Sequence, residues 1–168
     1  MKKLLLLTML LGATLFASQK LYAQASPGSD YQFAAGLKFG GYENGLSGKY
    51  FMNKTTSLEG ILGLRSGGVV ITGLYEFNIN QAFDVKELKF YYGFGAHIGA
   101  IGNSYRRFGS DDRNTVNNQL LLGADAVIGL EYVIPKSPIA VSLDLNPRLE
   151  LNGPFFDLAP GLGVKYIF

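Results

Sequence analysis

Phe155-Phe156-Asp157-Leu158-Ala159-Pro160-Gly161-Leu162-Gly163-Val164-Lys165-Tyr166-Ile167-Phe168 divides by parity. The even positions Phe156, Leu158, Pro160, Leu162, Val164, Tyr166 and Phe168 are almost all large and apolar, whereas the odd positions carry Asp157, Ala159, Gly161, Gly163 and Lys165. Successive side chains of a strand point to opposite sides of a sheet. This segment therefore meets oil on one face and something small or polar on the other.

The same division recurs upstream. Ile139, Val141, Leu143, Leu145, Leu149 and Leu151 oppose Ala140, Ser142, Asp144, Asn146, Arg148 and Glu150. Leu120, Leu122, Ala124, Ala126, Ile128, Leu130 and Tyr132 oppose Gly123, Asp125, Gly129 and Glu131, while Phe90, Tyr92, Phe94, Ala96 and Ile98 oppose Lys89, Tyr91, Gly93, Gly95 and His97. In the first such run, Tyr31, Phe33, Leu37 and Phe39 oppose Gln32, Gly36, Lys38 and Gly40. Turn signals set eight strands: 31–41, 46–52, 56–65, 69–79, 87–101, 118–134, 139–151 and 155–168, with Glu43-Asn44-Gly45 read as the first turn. The fold class is all-β.

Residues 1–25 read as a secretory leader, since Lys2 and Lys3 precede an apolar run from Leu4 to Ala17 and Ala23-Gln24-Ala25 offers a cleavage site. That run is too short to span a bilayer as a helix. Residues 26–168 then form one domain. Setting aside Lys2, Lys3 and Lys20 from the 15 basic residues leaves 12 against 13 acidic ones, so nucleic acid is not an expected partner. The absence of cysteine excludes a disulfide framework, and membrane residence must come from a barrel, because no mature segment has the length of a spanning helix.

The polar face collects Lys38, Lys49, Arg65, Lys89, Arg148 and Lys165 with Glu59, Glu76, Asp125, Glu131, Asp144, Glu150 and Asp157. Facing lipid, each such charge would cost about 2–4 kcal/mol at the bilayer centre. It must be enclosed or wetted. A membrane barrel with apolar residues outside satisfies this, and so does a soluble exported barrel that holds a hydrophobic ligand within. Glycine placement favours the first: Gly36, Gly40, Gly63, Gly93, Gly95, Gly99, Gly123, Gly129, Gly161 and Gly163 share the charged face, where a narrow lumen needs small neighbours. Aromatic residues near strand ends on the apolar face, such as Tyr31, Tyr50, Phe90, Tyr132 and Tyr166, read as interfacial girdles. The longest polar connection, 102–117, falls where an outer loop would, whereas 80–86 is long for an inner turn.

On these features the chain resembles the small eight-stranded outer-membrane β-barrel family that includes the OmpA transmembrane domain and OmpX. The resemblance covers the whole mature chain. It implies an eight-stranded antiparallel up-and-down transmembrane barrel, monomeric and without cofactor, in the outer membrane of a Gram-negative cell. It further implies lipopolysaccharide and other outer-membrane lipid as surroundings, and the barrel assembly machinery as a folding partner that reads Tyr166 and Phe168. Pro147 and Pro160 depart from the pattern, since each lies inside a strand and removes a ladder donor.

Candidate chemistry is sparse. The single His97 shares its face with Lys89 and the glycines and is read as part of a luminal charge network with Lys38, Glu59, Arg65, Glu76, Asp125, Glu131, Asp144, Arg148 and Lys165. A lipid A-modifying enzyme remains the narrower alternative, although a base on this face points away from lipid. One histidine and no cysteine leave no metal-ligand spacing. In the long outer loop, Arg106, Arg107 and Arg113 are candidate contacts to lipopolysaccharide phosphates. Function is thus expected to be non-enzymatic, structural or exercised through the outer loops.

Overall fold

The computed structural model describes residues 31–41, 43–65, 68–101, 105–106, 113–114, 119–151 and 156–168. Residues 1–25, expected to be a leader, lie outside them, as does Arg107. In chain order the elements are β1 (Phe33–Gly40), β2 (Asn44–Phe51), β3 (Thr56–Arg65), β4 (Gly68–Asn80), a 3-10 turn (Ala82–Asp84), β5 (Leu88–Ile101), β6 (Tyr105–Arg106), β7 (Arg113–Asn114), β8 (Gln119–Val133), β9 (Ile139–Glu150) and β10 (Phe156–Ile167). Eight strands close into an antiparallel barrel in the order β1-β10-β9-β8-β5-β4-β3-β2. The short pair β6 and β7 lies within the β5–β8 connection, with Tyr105 opposite Asn114 and Arg106 opposite Arg113.

Closure is made by β1 against β10, from Ala34 opposite Ile167 to Gly40 opposite Gly161. Each ladder keeps a single register along its length, so no bulge resets the alternation of faces. The line of partners Ala34, Lys49, Glu59, Leu74, Gly95, Asp125, Arg148 and Asp157 circles the barrel and returns about ten residues further along, a stagger that tilts the strands steeply. One rim, the loop rim, is formed by the connections 41–43, 66–67, 102–118 and 151–155. The opposite, turn rim carries 52–55, 81–87 and 134–138 together with Tyr31 and Phe168, whose amide donates to the Phe33 carbonyl at 2.8 Å.

The apolar parity face points outward: Leu143 is 62 % exposed and Leu145, Ile128 and Leu162 are 44–47 % exposed. The strands do not end where turn chemistry alone places them. Asn44 and Gly45, turn residues by their chemistry, belong to β2, with Gly45 opposite both Lys38 and Gly63. The Asn44 side chain accepts from the Gly40 amide at 3.2 Å, so it ties off the turn from within the ladder.

Both prolines lie in the ladders without a bulge. Along β9 the Leu151 amide donates to Leu122 and the Ile139 carbonyl accepts from Ile134, which sets odd-numbered residues toward β8. Pro147 therefore withholds an N–H from the Ala126 carbonyl. The β8–β9 ladder is interrupted there, with pairing at Asp125–Arg148 and again at Ile128–Leu145 in unchanged register. Pro160 faces β1 instead, and its carbonyl accepts from Gly41 at 3.1 Å. Its missing donor falls where β1 ends.

Candidate functional site

All 13 charged residues of the polar parity face point into the barrel and are buried, including each member of the expected network. Alternation does this without further instruction, because the register of every ladder preserves it. The inward residues form contacting groups stacked along the axis.

Near the loop rim, the Arg148 guanidinium is the hub. Its Nε lies 2.5 Å from Asp125 Oδ1, and its Nη2 lies 3.4 Å from Glu43 Oε1 and 3.2 Å from Thr72 Oγ1. Thr72 in turn donates to Glu43 at 2.9 Å. Glu43, a turn residue on the sequence pattern, is a luminal carboxylate in the structure. The cue available was its position one residue before β2, which lets a long side chain reach back over the rim. His97 lies between Asp125, 2.8 Å from Nδ1, and Glu150, 3.1 Å from Nε2. Arg65 reaches the same Glu150 at 3.4 Å. A ring whose two nitrogens both meet carboxylates satisfies both only by donating twice, and it offers neither nitrogen to a hydroxyl nucleophile.

Deeper in the barrel, Lys38 meets Asp144 at 3.1 Å, and Asp144 also accepts from the Tyr91 hydroxyl at 2.6 Å and from Asn146 at 2.5 Å. Lys165 meets Glu59 at 2.9 Å, which takes a further bond from Ser47 at 2.5 Å. Lys49 lies 3.0 Å from Glu76 and 3.5 Å from Glu131, with its ammonium 4.4 Å from the Tyr91 ring centre. Ser57 donates to Glu76 at 3.0 Å. It is the carboxylates of these pairs that neutral donors also hold, Asp144 through Tyr91 and Asn146, Glu59 through Ser47 and Glu76 through Ser57, as buried charges require.

Toward the turn rim the lumen becomes apolar. Tyr31, Ala34, Phe51, Val133, Ala140 and Ile167 form one buried cluster, with the Lys89 ammonium 4.0 Å from the Tyr31 ring centre. Tyr31 was expected among the outward girdle residues. Instead it is buried inside and its hydroxyl donates to Glu131. It precedes β1, and the bend at Gln32 breaks the parity that would have sent it outward. The other named girdle residues, Tyr50, Phe90, Tyr132 and Tyr166, are on the outer wall.

Glycine makes room for the largest luminal rings. Gly123 is the register partner of His97, and a Cβ there would lie 2.6 Å from the imidazole Cε1. Gly129 is the partner of Tyr91, and a Cβ there would lie 2.7 Å from its ring. What space remains near the hub is small: a cavity of about 20 Å³ between Lys38, Glu43, Thr72, Asp125 and Arg148, room for about one water molecule. Among the described residues no group of three His, Asp or Glu is placed to hold a metal ion.

Of the loop candidates, Arg106 and Arg113 are register partners in the β6–β7 pair, and Arg107 is outside the described residues. Tyr166 and Phe168, the expected assembly signal, are on the outer wall with ring centres 4.9 Å apart.

No protein-family model matches the sequence, and no curated protein matches it. Among solved structures, the N-terminal β-barrel domain of Pseudomonas aeruginosa OprF is similar, with a TM-score of 0.63 at 18 % identity over 83 % of this chain and 100 % of that one. At that identity what the two share is the fold, and it is the fold that the sequence resemblance implied: a closed, eight-stranded, antiparallel up-and-down barrel.

Proposed function

We propose that this protein is an integral, monomeric outer-membrane barrel without enzymatic activity, whose lumen is plugged by charges and whose role is structural or exercised by surface binding through its loops. One observation carries the reading: ionic side chains converge on the axis while leucine, isoleucine and phenylalanine cover the wall. A soluble carrier needs the reverse. Its hydrophobic ligand would have to displace Lys49, Glu76, Glu131 and their partners from an interior that eight strands make only wide enough for side chains. The fold shared with the OprF domain supports the same reading.

The long 102–118 connection supports an orientation with the loop rim at the cell exterior and the short turns in the periplasm. Lipopolysaccharide and phospholipid are then the solvent of the wall, and Arg106, Arg107 and Arg113 are the phosphate contacts of a surface-binding role. Residues 1–25 direct export, and Tyr166 with Phe168 is the signal read by the barrel assembly machinery.

Fractionation of native cells tests this directly. The protein is expected with the outer membranes, with gel mobility that changes on heating; recovery from the soluble periplasm would overturn it. An altered lipid A composition on His97→Ala would reinstate the enzymatic alternative.

A further inference from the structure

The turn 81–87 is the part of the molecule that a membrane-spanning scaffold leaves unexplained. Phe83, at 78 %, is the most exposed large apolar side chain among the described residues, and Val85 beside it is 39 % exposed. Gln81, Phe83 and Asp84 have φ of 56°, 55° and 61°, a left-handed backbone that L-residues adopt at a cost and that glycine or asparagine would take more readily. The turn is nevertheless well held. The Asp84 amide donates to Gln81 at 3.2 Å, Val85 to Ala82 at 3.1 Å, Leu88 to Val85 at 3.1 Å, and Val133 to Glu87 at 2.9 Å, while Ala82 is buried beneath. Phe83 is thus presented outward by a built loop.

What it would meet follows from its surroundings. The outer wall of β4 and β5 that leads to this turn is aromatic: Tyr75 and Phe77 have ring centres 5.3 Å apart, Phe77 and Tyr92 5.4 Å, and Phe90 and Tyr92 6.1 Å. Ile79, between them and the turn, is 53 % exposed. On the opposite side of the same rim, Phe33, Tyr166 and Phe168 form a second aromatic group. Among the described outward residues near the loop rim, aliphatic side chains such as Leu62, Leu64, Ile71, Ile98 and Leu158 predominate. Aromatic rings favour the boundary between headgroups and chains. Phe83 continues that band past the end of the strands, with exposed Lys86 next to it able to extend toward lipid phosphate.

We propose that the 81–87 turn is an interfacial wedge, in which Phe83 and Val85 insert among the phospholipids of the periplasmic leaflet and fix the depth of the barrel; this rests on the outer-membrane reading above. The chain contains no tryptophan, so Phe83→Trp gives the full protein a single indole. In phospholipid vesicles its fluorescence should be lost when lipid brominated near the glycerol end of the chains is included, and should resist quenching by aqueous acrylamide. Val85→Trp reads the same boundary from the neighbouring position. Leu145→Trp, midway along the outer wall, serves as the reference for lipid contact, read with lipid brominated near the chain ends. Quenching of Leu145→Trp by brominated lipid with none at Phe83→Trp would overturn the wedge alone. Absence of quenching at both would overturn the wedge together with the membrane reading. If Phe83→Trp is shielded from acrylamide only after periplasmic extract is added, the turn belongs to a protein partner, and the lipid proposal falls.

Discussion

Arg148 and Asp125 face each other across the β8–β9 ladder and are joined by a 2.5 Å contact from Nε to Oδ1, at the last pair before the ladder is interrupted. The guanidinium thus binds together two strands at the point where their backbones lose contact. It also ties both to Glu43 and Thr72 on the opposite side of the lumen.

Arg148→Met removes the cation while keeping much of the length, and leaves Asp125 and Glu43 facing each other's field. Breaking a buried ion pair from one side costs about 3–5 kcal/mol. Urea unfolding in lipid vesicles is expected to show a loss of that order, and Asp125→Asn in the same chain should recover part of it. Equal stability of Arg148→Met and the parent would show that the hub contributes nothing.

Leu145 lies midway along β9 on the outer wall. Leu145→Arg there should cost about 2–4 kcal/mol in a bilayer, because the charge faces hydrocarbon. The same vesicle unfolding measures it. A neutral result would place this face in water.

Two glycine substitutions should behave oppositely. Gly123→Ala drives a methyl into the Leu149 carbonyl and the His97 ring, so both β9 and the imidazole would have to move. Gly60→Ala on the outer wall meets nothing within 4 Å. The first should reduce the yield of folded, heat-modifiable protein. The second should leave it unchanged or raise it, since glycine weakens a strand interior.

Pro147→Ala restores the donor facing Ala126. One further ladder bond contributes about 0.5–1.5 kcal/mol. Hydrogen exchange followed by NMR in micelles should find the amide gained by this substitution protected like its neighbours in β9. Exchange at the rate of a loop amide would mean that the interruption has another cause.

Strand parity made the strands and their two faces legible, because a two-residue period leaves only two faces. That Asp144, Arg148 and Lys165 are luminal was legible only with the glycines that share their face, since alternation does not itself separate inside from outside. Parity fails where the chain leaves the ladder. Tyr31, one bend before β1, turns inward, and Glu43, one residue before β2, reaches into the hub. Which ion pairs with which was not legible either. Lys49 meets Glu76 and Glu131 from strands far apart in the chain, and such contacts depend on the stagger of the closed sheet.

The apolar cluster of Tyr31, Phe51, Val133 and Ile167 has a consequence for how this interior communicates. Hydrocarbon stops the lumen at the turn rim, so that in the proposed orientation the ion pairs of Lys49 and Lys165 are insulated from the periplasm, while Glu43, Arg65 and Glu150 stand toward the other end.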